Sequence, residues 1–134
     1  MTISSFDDLL QAANSQTEPQ LLLFVFTKAE LPEDATQEEK DNFEKGYGGT
    51  LTPVVCVDKS PAEINSFMAL AEESKKTGQD WDVVFVSSMS GQAGIAPNSD
   101  QAEQPLQMMV QAIQAGGISN FLAFSKSGEI LQIS

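Results

Sequence analysis

Six apolar side chains stand in a row at Leu21-Leu22-Leu23-Phe24-Val25-Phe26. A strand with one wetted face alternates polar and apolar residues. This run does not, so both of its faces must be covered. Two further runs share the property, Val54-Val55-Cys56-Val57 and Val83-Val84-Phe85-Val86. None approaches the roughly twenty residues that a membrane-spanning helix requires. The covering layers must come from the segments between the runs.

Those segments carry helical signals. Over residues 5–13, Phe6, Leu9, Leu10 and Ala13 repeat at i, i+3, i+4 and i+7, with Ser4 or Ser5 to cap the start and Asp7 and Asp8 at its positive end. A short helix is expected over 37–45, opened by the pair Thr36 and Glu39 and loosely attached through Phe43; Gly46, Gly48 and Gly49 then break the chain around Tyr47. Ser60, Pro61 and Glu63 open a third helix, which Ile64, Phe67, Met68 and Ala71 continue and Gly78 ends. A fourth runs over 99–115 with Leu106, Met109, Val110 and Ile113 as its buried face. Pro105 inside it marks a kink or the true start, and Gly116 and Gly117 stop it. The strands are expected over 21–27, 53–58 and 82–88. The tail reads as a β-hairpin, Phe121-Leu122-Ala123-Phe124 returning through Ile130-Leu131-Gln132-Ile133.

The order αβαβαβαββ predicts an α/β three-layer sandwich, with a mixed, mostly parallel sheet of about five strands and a C-terminal hairpin. A thioredoxin-like α+β arrangement is the alternative. A chain of 134 residues, 41% of them hydrophobic, reads as a single domain over 1–134. It buries roughly two-thirds of its unfolded surface and needs no metal or disulfide to fold.

The chemistry available to this chain is narrow. It has no histidine, no arginine and a single cysteine. Imidazole general bases, guanidinium oxyanion clamps and thiolate metal clusters are therefore absent from the sequence. No catalytic residue, no metal site and no cofactor is expected. Cys56 reads as a buried core thiol. The N-terminus lacks a cationic start and a long apolar segment, which argues against a signal peptide and for a cytoplasmic protein. The net charge of −12 repels nucleic acid and anionic membrane surfaces, so neither is an expected partner.

One edge of the predicted sheet concentrates polar residues. In open α/β sheets ligands bind beyond the carboxyl ends of parallel strands. There the first strand ends in Thr27-Lys28, the second in Asp58-Lys59 and the third in Ser87-Ser88, followed by Ser90-Gly91. If the three strands are parallel, Lys28, Asp58, Lys59, Ser88, Ser90 and Gly91 share one rim. Two of only seven lysines would then form a cationic spot suited to a small anionic ligand. The loop is no Walker A sequence, because no Gly-Lys-Ser/Thr follows at the required spacing.

Other clusters read as ordinary surface or core. The acidic stretch Glu30, Glu33, Asp34, Glu38, Glu39, Asp41, Glu44 lacks the EF-hand spacing and is interleaved with lysines 28, 40 and 45. Asp80 and Asp82 flank Trp81, which is expected to close one end of the core rather than serve as a sugar platform. Met68, Met108 and Met109 are core or interface filler.

Four strings resemble a small family of bacterial proteins of unassigned activity: Phe24-Val25-Phe26-Thr27-Lys28-Ala29-Glu30-Leu31-Pro32, Gly48-Gly49-Thr50-Leu51-Thr52-Pro53-Val54, Cys56-Val57-Asp58-Lys59 and Asp80-Trp81-Asp82-Val83-Val84-Phe85-Val86. Some members carry the label ribonucleotide reductase alpha subunit. The residues contradict that label, since such a subunit needs a redox-active cysteine pair and a radical-forming cysteine, whereas this chain has only Cys56. The resemblance implies no catalytic residue. Two functions remain as expectations. The first is a non-enzymatic interaction or regulatory module that self-associates or binds a protein partner. The second is a small-anion binder, or a weak lysine-dependent enzyme, at the carboxyl rim.

Overall fold

The computed structural model describes residues 5–30, 36–44, 50–64, 66–78, 80–115, 121–126 and 128–131. Gly46 to Gly49, the side chains of Glu39 and Phe43, the stops Gly116 and Gly117, and Gln132 and Ile133 of the expected hairpin lie outside the described residues. So do Glu33, Asp34 and the side chains of Glu30 and Glu44 from the acidic stretch.

The elements run α1 (Phe6–Asn14), β1 (Gln20–Glu30), α2 (Gln37–Glu44), β2 (Thr50–Lys59), α3 (Phe67–Lys75), β3 (Val83–Ser90), α4 (Ser99–Gln114), β4 (Leu122–Ser125) and β5 (Ile130–Leu131), with a 3-10 turn at Pro61–Glu63. The strands form one five-stranded sheet in the order β2-β1-β3-β4-β5. Every neighbouring pair is antiparallel. The expected mostly parallel sheet is thereby overturned. An apolar run demands cover on both faces but carries no direction, and either ladder satisfies its backbone. Because β1 lies between β2 and β3, those two run the same way without touching.

Side chains of β1 alternate between two apolar layers. Leu22, Phe24 and Phe26 pack with Phe6 and Leu9 of α1, Phe67 and Leu70 of α3, and Val84, Val86 and Phe124 of the sheet. Leu21, Leu23 and Val25 pack with Phe85, Ala123 and the α4 residues Ala102, Met109 and Ile113. The first layer is rich in rings set edge to face, among them Phe6 against Phe67 at 5.1 Å and Phe26 against Trp81 at 4.9 Å between centroids. Trp81 is buried, and its indole N–H donates to Ser74 Oγ at 2.7 Å.

Capping residues place the helix ends. Ser5 Oγ accepts from the Asp8 amide at 3.2 Å. The third helix starts later than expected. Ser60, Pro61 and Glu63 close only the 3-10 turn, with the Glu63 carboxylate accepting from the Ser60 amide at 3.0 Å and from its hydroxyl at 2.9 Å. Ile64 then returns to extended backbone, and Ser66 caps α3 by accepting from the Ala69 amide at 3.1 Å. Asn98 and Gln101 bond reciprocally at the start of α4, at 2.8 and 3.0 Å, and the helix continues through Pro105. Among the described residues no helix is long and apolar enough to cross a membrane.

Candidate functional site

Antiparallel pairing breaks up the expected rim. Lys28 lies opposite Thr52, near the Thr27–Val83 pair at one end of β1. Lys59 and Ser88 both lie opposite Leu22, and Ser90 lies opposite Gln20, at the other end. Lys28 and Lys59 therefore sit at opposite ends of the sheet and make no joint cationic spot. The reason is the β1 direction alone: turning one strand over moves its carboxyl end across the molecule.

Asp58, Lys59, Ser90 and Gly91 each have a local role. Lys59, on the α3 side, bonds Glu73 Oε1 at 2.5 Å. Asp58 projects to the other face, where its Oδ2 accepts from Ser99 Oγ at 2.7 Å. Ser90 Oγ accepts from the Gln20 amide at 2.9 Å. Gly91 is buried and donates its N–H to the Pro19 carbonyl at 2.8 Å. A Cβ there would collide with the Ile95 carbonyl oxygen, so a side chain at this position forces the backbone to shift. The lysine at the far end has acidic company: Lys126 bonds Asp80 at 3.2 Å and approaches Asp82 at 3.7 Å, and the Asp82 carboxylate accepts from the Ala29 amide at 2.8 Å. The Lys126 ammonium, first by its hydrogen bond and then by its charge, holds the Asp80 carboxyl below its ordinary pKa.

The feature that sequence reasoning missed is the outer strand. β2 is ten residues long and forms an edge of the sheet. Its residues from Thr50 to Val57 carry no charge. The hydrogen bonds tell which of its backbone groups face outward. Gly91 N–H bonds Pro19 O, and Asp82 N–H bonds Thr27 O at 2.7 Å, so the odd-numbered residues of β1 turn their backbone toward β3. The even-numbered ones face β2. By the alternation of an antiparallel ladder, Val55, Val57 and Lys59 bond inward to β1, while Cys56 and Asp58 present N–H and C=O to the outer side, where no strand pairs with β2 among the described residues.

The two halves of this edge differ. Pro53 lies opposite Thr27 and is also turned outward, so its missing N–H costs the ladder nothing and removes a donor from the edge. The register shift between Phe26 and Thr27 leaves Val54 as an extra residue beside it. A proline and a bulge are both devices that discourage another strand from pairing. They guard the first half of β2. The half from Val55 to Lys59 has neither.

Beside that open half runs a groove of about 470 Å³ between β2 and α4. Leu106 and Val110 form its apolar floor with Cys56, and Glu103, Gln107, Gln111 and Gln114 stand around it. Cys56 is exposed here and not in the core as expected, because it lies on an outer strand whose α4-side cover is incomplete. The groove wall still desolvates its thiolate and pushes the thiol pKa up, which lowers its reactivity. The site thus offers main-chain donors and acceptors, an apolar trough and side-chain amides, with the carboxylates of Glu103 and Asp58 close by. Only the position of β2 in the sheet reveals it.

Comparison with protein-family models, with curated proteins and with solved structures finds no match to this chain.

Proposed function

We propose that this chain is a cytoplasmic, non-enzymatic interaction module that holds an extended, basic segment of a protein partner along the Val55–Lys59 half of β2. The observation that carries the reading is the open half-edge beside the apolar groove of α4. An added strand gains affinity from main-chain bonds and selectivity from alternate side chains entering a trough. The charge decides the occupant. A second copy of this chain would bring another −12 charge to the contact, whereas a lysine- or arginine-bearing segment meets Glu103 and Asp58 on a chain of net charge −12.

Fluorescence anisotropy with labelled peptides of alternating lysine and valine tests this. The basic peptide should bind, and its glutamate-valine counterpart should not. Methylating alternate amides of the peptide should abolish binding. Cys56→Pro, which removes an outward N–H without touching the ladder to β1, should weaken binding about fivefold, the worth of one hydrogen bond. Equal binding of the acidic peptide, or indifference to Cys56→Pro, refutes the proposal. Light scattering supplies the competing outcome: a concentration-dependent dimer that Cys56→Pro dissolves would assign the edge to a second copy instead.

A further inference from the structure

The other face of the sheet holds a second opening, a cleft of about 440 Å³ beneath α1. Ala12 and Ala13 of α1 and Leu122 give it a partly apolar wall, with Leu9, Leu22 and Val86 buried behind. The alanines on α1, Ala12 and Ala13, keep it open, since larger side chains there would fill it. Its size falls within the range of small-molecule sites, about 300–1,000 Å³.

Five polar residues line the same cleft, and none is charged: Gln16, Gln20, Ser87, Ser88 and Ser90. Two of them are already fixed. Gln16 donates its amide to the Ala12 carbonyl at 3.1 Å. Gln20, only 7% exposed, donates to the Glu18 carbonyl at 3.2 Å and to Ser90 Oγ at 2.9 Å. Ser90 Oγ thus accepts from the protein and keeps its own O–H to donate. Ser88 stands two residues earlier on the same side of β3. The nearest ammonium by register, that of Lys59 across Leu22, is held by Glu73 and does not line the cleft.

We infer that this cleft binds a small uncharged molecule, its apolar part against Ala12, Ala13 and Leu122 and a single hydroxyl or amide group on the hydroxyls of Ser88 and Ser90. An ion entering would lose hydration with no opposite charge to receive it. An anion would also meet the repulsion of the whole chain. A neutral molecule loses little hydration and covers apolar surface. The inference stands apart from the peptide-docking reading, because the cleft and the α4 groove lie on opposite faces of the sheet.

Three probes of one shape separate the alternatives: benzyl alcohol, benzoate and benzylamine, titrated at raised ionic strength while backbone amide resonances are followed. Benzyl alcohol should shift the amides of Ala12, Ala13, Ser88 and Ser90 saturably, with Kd on the order of millimolar for so small a ligand. Benzoate and benzylamine should bind at least about tenfold more weakly. The double substitution Ser88→Ala and Ser90→Ala should weaken benzyl alcohol about fivefold. Ala13→Leu should abolish binding by filling the cleft. Ser88→Trp does so from an exposed strand position, should Ala13→Leu disturb α1. The inference is overturned if benzyl alcohol gives no saturable shift, if either ion binds as well, or if the folded filled variants still bind it.

Discussion

The contact between Trp81 and Ser74 admits a quantitative test. Both side chains are buried, at 4% and 5% exposure, and the indole N–H has Ser74 Oγ as its acceptor at 2.7 Å. Ser74→Ala removes that acceptor and leaves a buried donor unsatisfied, which costs about 1–3 kcal/mol. The same change also deletes the bond from Ser74 Oγ to the Ala71 carbonyl at 2.6 Å. That local bond competes with helix geometry, and alanine recovers about 0.5 kcal/mol of helix propensity. The net loss is therefore about 1.5 kcal/mol. With a urea m-value of about 1.5 kcal/mol per molar, the unfolding midpoint falls by about 1 M. Trp81 is the only tryptophan, so its fluorescence reports the transition directly. The control is Trp81→Phe, followed by circular dichroism, alone and with Ser74→Ala. Phenylalanine has no N–H to orphan, so in its presence Ser74→Ala should cost almost nothing. A midpoint unchanged by Ser74→Ala, or the same cost in both backgrounds, would refute the claim that this bond holds the end of α3 onto the start of β3.

Three further changes probe other parts of the fold. Gly91→Ala should destabilise the chain and lower its melting temperature, because the added methyl collides with the Ile95 carbonyl oxygen and the backbone must shift; an unchanged melting temperature would contradict that packing. Pro105→Ala should stabilise by about 1–3 kcal/mol, since proline inside α4 leaves the Gln101 carbonyl without its helical donor, and denaturant unfolding measures the gain. The Ser60 amide, followed first, and the Ser60 hydroxyl second, hold the Glu63 carboxyl below its ordinary pKa. A lowered folded pKa stabilises above the unfolded value and is lost as pH falls through the folded one. The Ser60 amide resonance should therefore move with a midpoint below the usual glutamate value of about 4.3, and a midpoint at or above it would remove the clasp.

Local order was largely readable before the tertiary arrangement. Each apolar run became a strand, and each i, i+3, i+4 pattern became a helix, because both depend on side chains within a few residues of one another. Even the error at the third helix was local. Ser60-Pro61 followed by Glu63 opens a 3-10 turn as readily as an α-helix, and the second capping residue, Ser66, decides between them. The candidate surface was far less legible. Nothing near Cys56 says that β2 has no outer neighbour among the described residues, or that Cys56 turns its N–H away from β1.

Strand direction and strand order belong to the assembled sheet. Residues 21–26 require cover on two sides by their composition alone, and α1 with α3 on one side and α4 on the other supply it. Their hydrophobicity is the same read in either direction, so it cannot say whether β1 runs with β2 or against it. That choice is made where the ladders close, Leu22 against Lys59 and against Ser88, by the pairing of residues 37 and 66 positions apart. It parts Lys28 from Lys59 and leaves one half of β2 open, with its backbone groups facing outward.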